Sequence, residues 1–334
     1  MKSALSTRNL RLWLPITLGI AGALAAVAPA ARANAYPSRP VTIVVPFPAG
    51  AGPDLLARVL AEKLTPRLGQ PVIVGNKPGV GGLAGASFVA KAQAYGHTLL
   101  LSPNTLMISP HILPKGAGAG LNARRDLAPI VAPATTPMML VVSPRLSVKS
   151  VEQLVALARQ QPGLPYASAG SGSPMHFAGE MFKRSTGIDM LHVPYKGVAN
   201  SVTAVLGDDV QVLFVALGGV SQHLKAGTLV PLAVAEKKRS ALAPEVPTLA
   251  ERGVSGVEVN AWYGLFAPAA TPAALVERLN REVNDILKLP DVQARLEGAG
   301  MEMLGGSPQV LAMVMKADDE RYGGITKELG IKAD

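Results

Sequence analysis

From Val41 onward the chain alternates short β-branched and aliphatic runs with segments whose apolar positions recur every three or four residues. Runs at 41–45, 72–74 and 98–101 predict strands, and the patterns between them predict helices over 53–64 and 83–92. Such alternation implies parallel strands joined by crossover helices. A Gly-punctuated insert, Gly116-Ala-Gly-Ala-Gly120, precedes runs at 130–132 and 138–142, and a crossing between two units is expected near Met138. A second set follows, with helices over 150–160, 174–184 and 199–206 and strands at 166–168, 190–192, 210–214 and 229–233. Residues 262–267 then read as a return strand, followed by helices over 272–287, 290–297 and 307–322. The two sets are comparable units without a sequence repeat. The expected fold is therefore α/β with two facing lobes, each a mostly parallel sheet flanked by helices, lobe 1 being 36–137 with 264–334 and lobe 2 being 138–263.

The first 35 residues have a different pattern. Lys2, Arg8 and Arg11 form a basic start, 12–28 is an apolar stretch, and Ala-Arg-Ala or Ala-Asn-Ala follows as a small-residue cleavage site. This predicts a signal peptide cut after Ala33 or Ala35 and an exported, periplasmic protein, the rival reading being an uncleaved anchor. Removing Lys2, Arg8, Arg11 and Arg32 from the formal charge of +9 leaves about +5, spread along the mature chain. That is no nucleic-acid footprint, and the one tight basic run, Lys237-Lys238-Arg239, reads as a solvated loop. With no Cys there is no disulfide framework, thiolate nucleophile or Cys-ligated metal, and the five His are scattered, so neither metal nor cofactor is expected.

Two segments invite chemistry. Phe47-Pro-Ala-Gly-Ala-Gly-Pro-Asp54 and Ser168-Ala-Gly-Ser-Gly-Ser-Pro-Met-His176 each place a Gly- or Ser-rich loop between a strand and a helix. The unpaired N–H groups there carry about half a positive charge, which makes such junctions receptive to a carboxylate or phosphate; the alternative is that Gly only permits a tight turn. The first loop has Pro53-Asp54 where a phosphate-binding P-loop requires a Lys and a hydroxyl, and Pro78 and Asn76 separate Gly79-Val-Gly81-Gly-Leu-Ala84 from its strand, against a dinucleotide site. Ser168, Ser171, Ser173 and His176 raise a Ser/His hydrolase reading, although the Gly-x-Ser-x-Gly elbow is absent. Asp54 reads first as a helix-dipole partner, with direct ligand contact as the second reading.

The order and spacing of Tyr36-Pro-Ser-Arg-Pro40, the Phe47–Asp54 loop, Gly69-Gln-Pro-Val-Ile-Val-Gly-Asn-Lys-Pro-Gly79, Ser168–His176, Val193-Pro-Tyr-Lys-Gly197, Lys225-Ala-Gly227, Pro247-Thr-Leu-Ala-Glu251 and Trp262-Tyr-Gly264 resemble a known family. The chain is similar, over 36–332, to the solute-binding proteins of tripartite tricarboxylate transport systems, the Bug or TctC type. The resemblance implies a flytrap, the periplasmic-binding-protein architecture, closing on a small organic acid or related amide with main-chain groups and water. Its binding positions fall on Phe47, Ala49 and Gly50 and on Ser168, Gly170, Ser171, Gly172, Ser173 and His176; Asp54, Tyr195, Val215 and Ala216 are further candidates. After Phe214 many members carry an acidic or amide pair where this chain has Val215-Ala216, which predicts a ligand with a less polar tail. The resemblance also implies permease subunits as partners and a monomer without catalysis. A sensor feeding a signalling receptor is the alternative.

Overall fold

The structure is a computed structural model that describes residues 36–114, 116–118, 120–259 and 261–333. The expected signal peptide lies outside the described residues. The first stretch of chain forms β1 (Val41–Val45), α1 (Gly52–Leu68), β2 (Val72–Asn76), α2 (Leu83–Ala90), β3 (Thr98–Pro103), α3 (Thr105–Ile112), α4 (Ala123–Asp126) and β4 (Leu127–Thr136). The second forms β5 (Met138–Val142), α5 (Val151–Gln160), β6 (Leu164–Ser168), α6 (Pro174–Thr186), β7 (Met190–Pro194), α7 (Val198–Leu206), β8 (Val212–Ala216), α8 (Ser221–Lys225) and β9 (Val230–Val234). The chain closes with β10 (Ala261–Pro268), α9 (Ala273–Ile286), α10 (Pro290–Gly298), β11 (Glu302–Gly305) and α11 (Pro308–Leu329).

These strands build two sheets, ordered β11-β4-β10-β3-β1-β2 and β7-β6-β8-β5-β9, so the fold is two-lobed α/β. Both sheets are mixed. β1 pairs in parallel with β2 and β3, and β6 with β7 and β8; β10, β11 and β5 make only antiparallel pairs. Helical crossovers produce the parallel pairs, whereas the antiparallel ones arise where the chain passes between sheets and must run back beside itself. One passage is Pro137, between β4 and β5; the other leads into β10, which lies beside β4 from Ala261↔Thr136 onward.

Local sequence explains the elements. β1 is buried on both faces, as a helix-covered strand must be. α5 buries Val151, Leu154 and Ala158 along one stripe, and its N-cap Ser150 accepts the Gln153 N–H. α11 continues beyond Tyr322, where Gly323-Gly324 reads as a stop, because a side chain at Gly323 would meet the His111 ring of α3. Close helix packing needs the glycine there, and tertiary contact overrides its low helix propensity.

The second sheet has one core around Tyr166, Phe182 and Phe214; the first has a core on each face. A fourth apolar cluster, Ile108, Ile112, Phe177 and Tyr322 with Ile331, joins α3 and α11 to α6 of the other unit. The units also meet main chain to main chain. A Cβ added at Gly218, in the turn after β8, would collide with the Ala299 carbonyl oxygen after α10, and one at Gly300 with the Gly218 backbone.

Candidate functional site

The first loop is held by Asp54. Ala51 caps α1 through its carbonyl, so Gly52 joins the helix and Asp54 is its third residue, one later than the pattern predicts. From there its carboxylate reaches back to the Gly50 N–H (2.9 Å), takes Nδ2 of Asn76 (2.9 Å) and chelates Arg58 through Nε (2.9 Å) and the guanidinium tip (3.1 Å). Asn76 also donates to the Phe47 carbonyl (3.0 Å), so both ends of the loop hang on one carboxylate. Asp54 is 2% exposed. Burial alone would raise its carboxyl, but hydrogen bonds from Arg58, Gly50 and Asn76, with the Arg58 charge, outweigh it and hold the group at about 2. The Ala49 and Gly52 N–H groups make no hydrogen bond among the described residues. Gly50 takes φ +84°, a conformation that favours glycine, with no atom near the position of a Cβ.

The second loop is likewise tied within its own unit. Ser168 is 0% exposed; its Oγ takes the Gly170 N–H (3.1 Å) and lies 2.7 Å from His192 Nε2. Ser173 caps α6, accepting the His176 N–H, while His176 Nδ1 accepts the Gly172 N–H at 3.0 Å. The His176 ring stacks on His192 with centroids 3.7 Å apart. The Tyr195 and Gly197 N–H groups strap the β7–α7 turn to the carbonyls of Ser168 and Ala169 (3.0 and 3.2 Å). In the first turn of α6, Pro174 has no N–H and that of Met175 makes no hydrogen bond among the described residues. Ser171, at the loop tip, is partly exposed.

Both loops, with the turns after β3 and β8, lie at the carboxyl ends of parallel strands, where open α/β sheets bind ligands. α3, absent from the sequence-based expectations because Ser109-Pro110 interrupts its pattern, stands between them. A Cβ at Gly82 would touch the Phe47 ring, one at Gly81 the Ser109 hydroxyl, and one at Gly172 the Ile112 side chain. The other candidates separate. Tyr195 is partly buried against the second core, and burial, with Asp209 beside it, raises its phenol. Val215 is 0% exposed within that core, whereas Ala216 is partly exposed at the strand end. Sequence reasoning missed Tyr263 of β10: its hydroxyl would lie 2.8 Å from a Cβ at Gly52, and burial pushes its phenol up to about 12. No local signal links residues so far apart in the chain.

A cavity of about 580 Å³ lies away from both loops, lined by Arg184, Lys237, Glu258, Arg321 and neighbours. Its arginines are already ion-paired, Arg184 with Glu328 and Arg321 with Glu258. Of the predicted basic run, Arg239 binds Glu251 while Lys237 and Lys238 are exposed.

The profile of the family described as "Tripartite tricarboxylate transporter family receptor" matches residues 56–331. The "UPF0065 protein in tcbD-tcbE intergenic region" of Pseudomonas sp. (strain P51) is 38% identical over 307 residues, 91% of this chain and 90% of the relative. Among solved structures, R. palustris Rpa4515 with adipate has a TM-score of 0.80 at 34% identity, covering 89% of this chain and 99% of its own. MatC (Rpa3494) from Rhodopseudomonas palustris with bound malate has 0.76 at 29% identity, covering 87% and 99%. On the evidence of the profile match, the near full-length relative and these shared folds, the chain belongs to the tripartite tricarboxylate transporter receptor family.

Proposed function

We propose that this protein is a periplasmic solute-binding receptor that captures a small carboxylate-bearing molecule between its two lobes and delivers it to membrane permease subunits, without chemistry of its own. In this reading the lobes are 36–137 with 264–334, and 138–263, and the pairing of β10 with β3 and β4 supports assigning the chain after 263 to the first. The observation that carries the reading is the pair of loops at the carboxyl ends of parallel strands, shaped by buried side chains, in which the Ala49, Gly52 and Met175 N–H groups have no partner among the described residues. Pre-set N–H groups suit an anion, and those held by two lobes suit one that is enclosed. The relatives with adipate and malate support a carboxylate. The hydrolase reading is disfavoured: Ser168, although its Oγ lies 2.7 Å from His192 Nε2, is 0% exposed, and the Nδ1 of His176 accepts the Gly172 N–H. No described helix is long and apolar enough to cross a membrane.

At the end of β8 Val215 is buried in the core and Ala216 alone is partly exposed, so the ligand's far end meets little polarity from this strand. Calorimetry on the mature chain is expected to rank a monocarboxylate or an apolar-tailed acid or its amide above aspartate, glutamate and citrate. A second polar group left without a partner costs about 1–3 kcal/mol, or about 5- to 150-fold in Kd. Tightest binding of citrate or an amino acid would remove the specificity argument. Failure of every organic acid to bind would remove the function.

A further inference from the structure

The two chain passages between the units run through one small region that contains two carboxylates. Ala235 donates to the Met138 carbonyl (2.7 Å) and accepts from the Val259 N–H (2.8 Å), so it touches both passages. The next residue is Glu236. On the other unit, Glu302 of β11 pairs with Thr135 at the end of β4, where Thr136 Oγ1 donates to the Gly300 carbonyl (2.9 Å). Glu302 reaches across to the second unit: its Oε1 accepts from the Ser240 hydroxyl and from the Ala241 N–H (3.0 Å). Ser240 is buried, and its Oγ accepts the Leu242 N–H (3.0 Å), which leaves its proton for Glu302. Beside this bridge the Glu236 Oε1 is buried without a hydrogen-bond partner among the described residues.

We propose that Glu302 is a positioning residue for solute capture, latching the two lobes in the arrangement seen here through Ser240 and Ala241, and that ionisation of Glu236 beside it loosens the latch. Opening the lobes separates the two carboxylates and lets water reach Glu236; closing them brings like charges together. The surrounding charges do not relieve this. β4 carries none; Glu297 of α10, which packs on β11, is exposed and negative; Arg239 is bound to Glu251, Glu258 to Arg321, and Lys237 and Lys238 are exposed.

Burial, with Glu302 next to it, raises the Glu236 carboxyl from 4.5 to about 7. The closed arrangement therefore holds the proton more tightly than the open one. Closure is unopposed below pH 4.5, is penalised increasingly as pH rises to 7, and carries a constant penalty above that. Between pH 5.5 and 8 the closed-to-open ratio falls by at most roughly 25-fold if the open state restores the ordinary value.

The Cys-free chain allows the test to be made without ligand. Dyes on Lys91→Cys and Lys225→Cys, exposed sites on opposite lobes, report their separation by fluorescence transfer. The wild type is expected to shift toward separated lobes by threefold or more in closed-to-open ratio between pH 5.5 and 8. Glu302→Ala is expected to favour separation at both pH values. Glu302→Gln keeps an acceptor for Ser240 and Ala241 but loses the charge, so it is expected to stay closed at pH 5.5 and to shift less than wild type at pH 8, while Glu236→Gln is expected to stay closed at both. A wild-type ratio independent of pH would overturn the proposal. So would Glu236→Gln retaining the wild-type dependence, which would assign it to a histidine, or Glu302→Ala remaining as closed as wild type. The inference rests on the binding reading only for its consequence in capture, and transfer is read in the empty protein, so either idea can fail alone.

Discussion

Gly218→Ala is expected to weaken solute binding by about a hundredfold while leaving each lobe folded. The added methyl would collide with the Ala299 carbonyl oxygen, which belongs to the other unit. A side chain in the way can rotate, but backbone on both sides of a contact can yield only if the units move apart. Overpacking of this kind costs about 1–3 kcal/mol or more, and each 1.4 kcal/mol is about tenfold in affinity. Gly218 is not among the glycines with positive φ, so the substitution brings no local strain to confuse the result. Calorimetry with the tightest-binding acid and solution scattering on the same sample check it together: Kd rises and the radius of gyration of the liganded protein increases. A variant that binds and compacts as wild type does would show that this contact plays no part in capture.

The second large effect is expected at Asp54. Asp54→Ala leaves the Gly50 N–H, Asn76 and Arg58 without their shared acceptor, and loss of one member of a buried charged pair costs about 3–5 kcal/mol. Half-exposed Arg58 can turn to water, which puts the expected loss near the lower bound. Because the carboxylate also fixes the loop bearing Ala49, binding is expected to vanish together with the stability. Asp54→Asn keeps one acceptor and is expected to lose about half as much. The pH dependence has a definite sign. The folded carboxyl lies at about 2, below its ordinary 3.8, so its stabilisation is complete above about pH 4 and is lost as pH falls from there through 2. Urea denaturation between pH 2 and 6 should show an acid-dependent loss of order 1–2 kcal/mol, absent in Asp54→Asn. A variant with wild-type acid sensitivity and intact stability but no binding would make Asp54 a ligand contact instead of a brace.

Much of the site could be read from local sequence because its parts are local. Ser173 caps the helix that follows it, His176 accepts from Gly172 four residues away, and Asp54 reaches Gly50 and Arg58, each also four away. Their spacing is visible in the chain because a turn of helix brings such neighbours together whatever lies beyond. The resemblance to a family placed both loops for the same reason, through residues that stand close to one another in the sequence.

What the chain by itself determined is therefore the alternation of strand and helix, the two loops with their caps, and the two-lobed class that alternation implies. Tertiary structure alone decided the rest: antiparallel β10 and β11 at the heart and edge of the first sheet, α3 between the loops, Tyr263 beside Gly52, and Glu302 on Ser240 across 62 positions. The same holds for Val215, whose place in a strand is legible but whose complete burial depends on what packs on that strand. The physical reason is the range of the forces. Caps, turns and helix periodicity arise within a few residues, whereas which distant groups meet is settled by burial of apolar surface over the whole chain, and that term is blind to sequence separation.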